Sequence, residues 1–213
     1  MLYGHFKKNY QSKMKKIKEI LIGTNNIGKY REISALLPNK IIKYSVKKFN
    51  IRSPKENGKT FEQNSFIKAS YFSKKTNLIC ISDDSGLEVS ILNGMPGIFS
   101  SRWAGKKQNF SLAIKKIFKK IQKKINLKKN KKKINAKFVC CLTIFWPNGK
   151  SYSVRGAVYG SIASKKKGKH GFGYDPIFIP KGHSRTFAEM KPKYKMSIDH
   201  RYKAYKKIKK FFN

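Results

Sequence analysis

Asp83 and Asp84 stand side by side after the apolar run LICIS and before Ser85 and Gly86. Two carboxylates at the C-terminal end of a strand suit Mg²⁺ ligation or general-base work, because they offer hard oxygen ligands and a proton acceptor. The alternative is a capped turn in which the Asp side chains bond nearby amides. With only ten acidic residues in the chain, an adjacent pair favours the metal or base reading. Glu56, in the turn-rich stretch SPKENGKT, is a further candidate oxygen ligand. The segment GTNNIGK, from Gly23 to Lys29, suits phosphate: glycines let the backbone approach an anion, helix N-terminal amides face it, and Lys29 adds charge. It fits GxxxxGK, but Tyr30 falls where a P-loop needs Ser or Thr to hold Mg²⁺. Asn25 and Asn26 add amides able to bond phosphate or base.

In GFGYDP, Phe172 and Tyr174 lie two residues apart and share a side if the segment is extended, with Asp175 and Pro176 fixing the exit. Aromatic rings in a Gly-rich loop can stack on a nucleobase, although local core is the commoner use. Lys195, His200 and Arg201 place three donors before or at the start of a C-terminal helix, suited to a carbonyl oxygen or a phosphate.

These residues need elements to hold them. IKEILI (17–22) reads as a buried strand, followed by a helix whose apolar positions Ile33, Leu36 and Leu37 end at Pro38. A second strand is expected over 41–51, and a helix from Thr60 to about Lys75 with Phe61, Ser65, Ala69 and Phe72 on one face. LICIS (78–82) is a buried strand entering the loop DDSGLEVSILNG, which holds another short strand. Residues 110–125 are an amphipathic helix, and the lysine-rich run after them is a solvated loop. AKFVCCLTIFW and SYSVRGAVYGSI, joined by Pro147, Asn148 and Gly149, form an antiparallel pair; IFIP is a short strand, and a helix spans about 199–212. Alternating strands and helices imply an α/β protein with a mixed sheet.

The composition narrows the partner. Fifty Lys plus Arg against ten Asp plus Glu leave a net charge of +40, and only six of the fifty are Arg. Such a balance raises the prior for nucleic acid. Compositional drift toward Lys, Asn, Ile, Phe and Tyr also accounts for the scarcity of Arg, the residue that reads base edges. Nucleic acid is therefore disfavoured as a partner. No stretch reaches the roughly 20 apolar residues of a membrane span. Cys80, Cys140 and Cys141 sit in apolar runs, as buried thiols in a reducing, cytoplasmic setting would. Residues 1–16 read as a basic extension without the h-region of a signal or the Arg of a transit peptide, with Met14 a candidate start; residues 17–213 read as one domain.

Five segments in order, GTNNIGKYREI, ENGKTFEQNSFIKA, DDSGLEVSILNGMPGIFSSRWAG, GFGYDPIFIP and FAEMKPKYKMSIDHRYKA, resemble the inosine triphosphate pyrophosphatase family, which clears non-canonical purine nucleoside triphosphates. The resemblance spans Ile20 to Tyr205. It implies a two-lobed α/β fold with an elongated mixed sheet flanked by helices and a substrate cleft between the lobes, in a homodimer. It also implies Mg²⁺-dependent hydrolysis of ITP, dITP or XTP to the monophosphate and pyrophosphate. Carried over, Thr24, Asn25, Asn26, Ile27, Gly28 and Lys29 grip the triphosphate; Glu56 and Asp84 hold the metal, with Asp84 also the base. Lys68 lies near the reacting phosphates, and Ser85 contacts substrate. Phe172, Gly173, Tyr174, Asp175, Lys195, His200 and Arg201 line the base pocket. Asp199 stands where the family usually has Ser, which adds a carboxylate beside that pocket. A P-loop NTPase, releasing orthophosphate, and a basic nucleic-acid-binding protein are the competing readings.

Overall fold

The computed structural model describes residues 16–105, 107–128 and 133–212. The basic extension up to residue 15 and the lysine-rich segment 129–132 lie outside the described residues. One six-stranded mixed sheet runs through the chain in the order β2-β1-β3-β4-β5-β6. Strand β1 (Glu19–Ile22) pairs in parallel with β2 (Ile42–Ser45) and with the start of β3 (Cys80–Val89). Strands β4 (Asn135–Phe145), β5 (Ser151–Ile162) and β6 (Phe178–Pro180) continue the sheet antiparallel to β3.

Helices cover both faces. On one lies α2 (Phe61–Thr76), and on the other α1 (Ile27–Leu36) and α6 (His200–Ile208). A strand covered on both sides must be apolar throughout, and Ile20, Leu21 and Ile22 of β1 are wholly buried. Helix α2 starts where Thr60 accepts a hydrogen bond from the Gln63 amide, and it buries Phe61, Ser65, Ala69 and Phe72, the four expected on one face. Gly156 on β5 lets α6 come close: a Cβ there would lie 2.3 Å from the His200 carbonyl oxygen. The length of the central strands creates the second lobe. Beyond Gly86, β3 carries Leu87 and Val89 into a separate core with Ile114 and Ile117 of α4 (Phe110–Lys128), Phe138, Tyr174, Phe178 and Phe187.

Several expectations shift. The strand expected over 41–51 ends at Ser45 and becomes a 3₁₀ helix, Val46–Phe49. Helix α4 continues three residues past 125, to Lys128. The largest change concerns DDSGLEV, expected as a loop and a short strand. It is the body of β3, held by ten consecutive pairings to β4 from Cys80–Phe145 to Val89–Ala136. Asp, Ser and Gly have low strand propensity, but a full ladder against an apolar central strand overrides it. The three cysteines are buried and free. Among the described residues, no helix is long and apolar enough to cross a membrane.

Candidate active site

Strand β3 pairs with β1 only through Cys80 and Ile81, because β1 ends at Ile22 and the chain turns away into α1. Beyond that pairing, Asp84, Ser85 and Gly86 of β3 line a cleft of about 330 Å³ that residues of both lobes enclose. Successive side chains of a strand point to opposite faces, so the adjacent carboxylates part company. Asp83 faces α1 and α6: its Oδ2 lies 3.3 Å from Lys29 Nζ and accepts from Arg201 Nη2 at 3.0 Å and from the Ser85 hydroxyl at 3.0 Å. Asp84 faces α2, with Oδ1 3.8 Å from Lys68 Nζ. The pair that suggested a shared metal or base is therefore divided between two environments.

Their protonation chemistry divides as well. Burial opposes ionisation of Asp83, but Lys29, Arg201 and Lys68 together outweigh it and hold its carboxyl well below the usual range. For Asp84 burial wins, aided by Glu56 and Asp83 against Lys68 and Lys29, and the pKa is raised. A carboxylate shifted toward neutrality beside a cleft is a candidate general base, whereas Asp83 is a fixed anion that holds cations.

Glu56 completes the Asp84 end. Its loop is fastened to α2 by the Gly58 amide donating to Asn64 Oδ1 at 2.8 Å, and to the short helix α3 (Ser100–Trp103) by Arg102, which donates to the Glu56 carbonyl. Glu56 Oε1 then accepts from Lys68 Nζ at 2.7 Å, so both carboxylates converge on one ammonium. Among the described residues no cluster of three or more His, Cys, Asp or Glu could hold a metal. Two carboxylates fit Mg²⁺ nonetheless, since that ion usually takes one or two from protein and the rest from phosphate and water. Asp84 Oδ2 is buried without a hydrogen-bond partner, which leaves a hard oxygen free for such a ligand.

At the start of α1, Asn26 caps the helix by accepting from the Lys29 amide at 3.0 Å, and Thr24 Oγ1 accepts from the Asn26 amide at 3.2 Å. Thr24, Asn25, Asn26 and Lys29 line the cleft, and the first-turn amides of α1 have no intrahelical acceptor. The two glycines act differently from the expectation. A Cβ at Gly23 would sit 2.1 Å from Ser82 Oγ and one at Gly28 2.7 Å from the Phe172 ring, so both positions admit protein neighbours. Ile27 is 54% exposed and outside the cleft lining.

The opposite end is built from the GFGYDP turn, α5 (Pro192–Ile198) and α6. The turn is not extended, and its rings separate. Phe172 lies over Gly28 with Lys195 Nζ 5.1 Å from its centroid, while Tyr174 packs edge-on to Phe110 and donates to the Ser100 carbonyl at 2.9 Å. Asp175 accepts from the Phe172 amide at 2.9 Å and from Lys195 at 2.7 Å. Lys195 also donates to Glu32 at 2.7 Å, and Glu32 in turn accepts from Arg201. His200 stacks on Phe138 at 4.7 Å, and burial, with Arg201 and Lys195 nearby, depresses its pKa, so the ring is neutral. Sequence reasoning missed Glu32, which joins Lys195 of α5 to Arg201 of α6. Its only signal was its place three residues after Lys29 on the same helix, in a chain poor in acids.

The Ham1 family model matches residues 20–211. The chain belongs to the Ham1 family. It is 38% identical over 191 residues to the dITP/XTP pyrophosphatase of Caulobacter vibrioides, covering 90% of this chain and 96% of that protein. To the Bdellovibrio bacteriovorus protein of the same name it is 40% identical over 194 residues, or 88% and 94% of the two chains. Two solved Ham1 structures share the fold. That from Coxiella burnetii has a TM-score of 0.80 at 34% identity over 90% of this chain and 96% of its own. That from Staphylococcus aureus has 0.77 at 35% over 91% and 97%.

Proposed function

We propose that this Ham1 protein hydrolyses deaminated purine nucleoside triphosphates (ITP, dITP and XTP) to the monophosphate and pyrophosphate. The observation that carries the reading is the two-ended cleft. Glu56, Lys68 and Asp84 gather at one end, and Phe172, Lys195, His200 and Arg201 at the other.

Water attacks the α-phosphorus, and the bond from that phosphorus to the oxygen bridging to the β-phosphate breaks. Asp84 takes a proton from the attacking water, a role suited to a carboxyl whose pKa burial has raised. The phosphates lie along the start of α1, where Lys29, Asn25, Thr24 and the helix amides meet their charge. Lys68 sits between Glu56 and Asp84, placed to neutralise the reacting phosphate. Mg²⁺, held by Glu56 and Asp84, would supply further neutralisation of phosphate charge. Phe172 offers a face for the purine, and Arg201 and Lys195 are donors suited to its 6-oxo oxygen. Adenine presents an amino group there, and buried donors left unpaired make that substrate costly. Ser85, whose hydroxyl bridges Asp83 and Arg201, ties the base end to β3.

The buried, free thiols support a reducing, cytoplasmic setting. The homodimer implied by the resemblance belongs to the same proposal, and light scattering of the purified protein tests it. For the activity, the protein is incubated with ITP, dITP, XTP, GTP and ATP, and the phosphate product is identified. Pyrophosphate from the first three is expected. Orthophosphate, or equal turnover of ATP, overturns the reading.

A further inference from the structure

Seven charged groups meet behind the base-reading end of the cleft. They are Lys29 and Glu32 of α1, Asp83 of β3, Asp175 of the GFGYDP turn, Lys195 of α5, Asp199 at the α5–α6 junction and Arg201 of α6. Four are carboxylates and three are cations. Around them, His200 is neutral and burial raises the pKa of the Cys140 thiol on β4, while Lys68 acts on Asp83, and Asp84 and Glu56 act on Lys29, from the other end of the cleft.

Three of the carboxylates are paired: Glu32 with Lys195 and Arg201, Asp83 with Lys29 and Arg201, and Asp175 with Lys195. Asp199 is the surplus. Its Oδ1 accepts from the Tyr202 amide at 2.8 Å and caps α6, while Oδ2 is buried with no hydrogen-bond partner. The residue is 1% exposed and does not line the cleft, but it is flanked by Lys195, His200 and Arg201, which do. Its charge therefore reaches a bound base as a field through protein rather than by contact, in a setting where water screens little. Burial and Glu32 push its carboxyl up to about 6 against the pull of Arg201 and Lys195, so it is ionised at pH 8.

From this surplus we infer that Asp199 sets a preference by base charge, favouring the neutral hypoxanthine of ITP and dITP over the xanthine of XTP. Xanthine has a second carbonyl, at C2. The anion formed when its ring N–H loses a proton is shared between oxygens, so xanthine ionises near neutrality, where hypoxanthine keeps its proton. An unpaired buried carboxylate behind the pocket repels the first base and is indifferent to the second. Asp199 touches no substrate atom in this scheme and acts by its field, across Lys195 and Arg201. The inference rests on the purine pyrophosphatase reading.

The test measures kcat/KM for ITP and for XTP at pH 8 in the native protein and in Asp199→Asn. Asn also caps a helix, so the bond to the Tyr202 amide can persist. Because the two substrates differ only in the base, a general structural fault lowers both values, whereas a charge effect moves their ratio. The ITP:XTP ratio should exceed unity in the native protein and fall about tenfold in the variant, the worth of a unit charge across a few side chains at an effective dielectric of about 20. Lowering the pH from 8 to 5.5 should reduce the native ratio as well, since xanthine and Asp199 both gain protons. A ratio unchanged in the variant, or a native preference for XTP at pH 8, overturns the inference. If Asp199→Asn does not fold, Asp199→Ser, also a capping residue, and the native pH series decide on the same criteria. Failure to release pyrophosphate from either substrate would instead overturn the underlying functional reading.

Discussion

Replacing Glu32 by Gln tests whether the buried ion pairs form one connected structure. Glu32 accepts from Lys195 at 2.7 Å and from Arg201, and it is itself buried. Breaking a buried pair by removing one partner commonly costs about 3–5 kcal/mol, because the other charge is stranded. Here neither cation is stranded fully: Lys195 keeps Asp175 at 2.7 Å, and Arg201 keeps Asp83 at 3.0 Å. Asp199 offsets a further part, since the Glu32 charge is one reason its carboxyl is reluctant to ionise. Removing that charge lets Asp199 ionise more readily beside the same cations. We therefore expect a loss at the low end, about 2–3 kcal/mol. For a chain of this size that is a fall in Tm of roughly 5–10 °C. Urea denaturation at pH 7.5 measures it directly, with the m-value as a check that both proteins unfold to the same extent. A loss below about 1 kcal/mol would mean that Asp175, Asp83 and Asp199 suffice and that Glu32 is not needed to hold Lys195 and Arg201 together.

Asp84→Asn should lower kcat by about 10²–10⁴-fold, the usual worth of a general base, with Tm unchanged or raised because a carboxylate that burial disfavours is removed; unchanged kcat would place the base elsewhere. Phe172→Ala should raise KM for ITP about tenfold through lost stacking, with a smaller change in kcat; an unaltered KM would mean that the ring packs on Gly28 without meeting the base. The Asp199 carboxyl, raised from 3.8 to about 6, contributes stability that is full below pH 4 and is lost as pH rises through 6. Asp199→Asn should therefore gain about 2–3 kcal/mol on the native protein between pH 4 and pH 8. His200, buried neutral, works in the opposite direction, weakening both proteins as pH falls below 6.5, so only their difference reports Asp199.

The elements were largely readable because their signals were local. Thr60 caps α2 as its side chain allows, and the β5 segment SYSVRGAVYGSI has the bounds its turn and apolar pattern imply. What could not be read locally was parity. Whether Asp83 and Asp84 act together depends on whether the backbone stays extended through Gly86, which is decided by pairing to Cys141 and Leu142 more than fifty residues later. The same limit hid the separation of Phe172 from Tyr174, since a turn and a strand place residues i and i+2 differently. Glu32 was missed because its partners lie 163 and 169 residues away. GxxxxGK, by contrast, pointed to the right end of the cleft for a partly wrong reason: its glycines make room for Ser82 and Phe172, while the cap of α1 and Lys29 face the cleft.

The charge of +40 bears on how such a chain can build this site. Where cations outnumber acids fivefold, a solvated lysine needs no partner, and surface pairs add little stability. A lysine or arginine taken out of water does need one. The ten acids are distributed on that principle. Six of them, Glu32, Glu56, Asp83, Asp84, Asp175 and Asp199, lie in or directly behind the cleft, where Lys29, Lys68, Lys195 and Arg201 are wholly or partly buried. Five of the six face one of those cations within salt-bridge distance. Six acids against four cations leave two in excess: Asp84 shares Lys68 with Glu56, and Asp199 has no cation within salt-bridge distance among the described residues, so its place there points to a role beyond compensating them. The surface lysines can still draw a polyanionic substrate toward the cleft at low salt. Long-range attraction acts alike on every nucleoside triphosphate, so it raises encounter rates without choosing a base. Selection among bases falls to the buried groups, where one unmatched carboxylate is large against the energies that separate purines differing by a single oxygen.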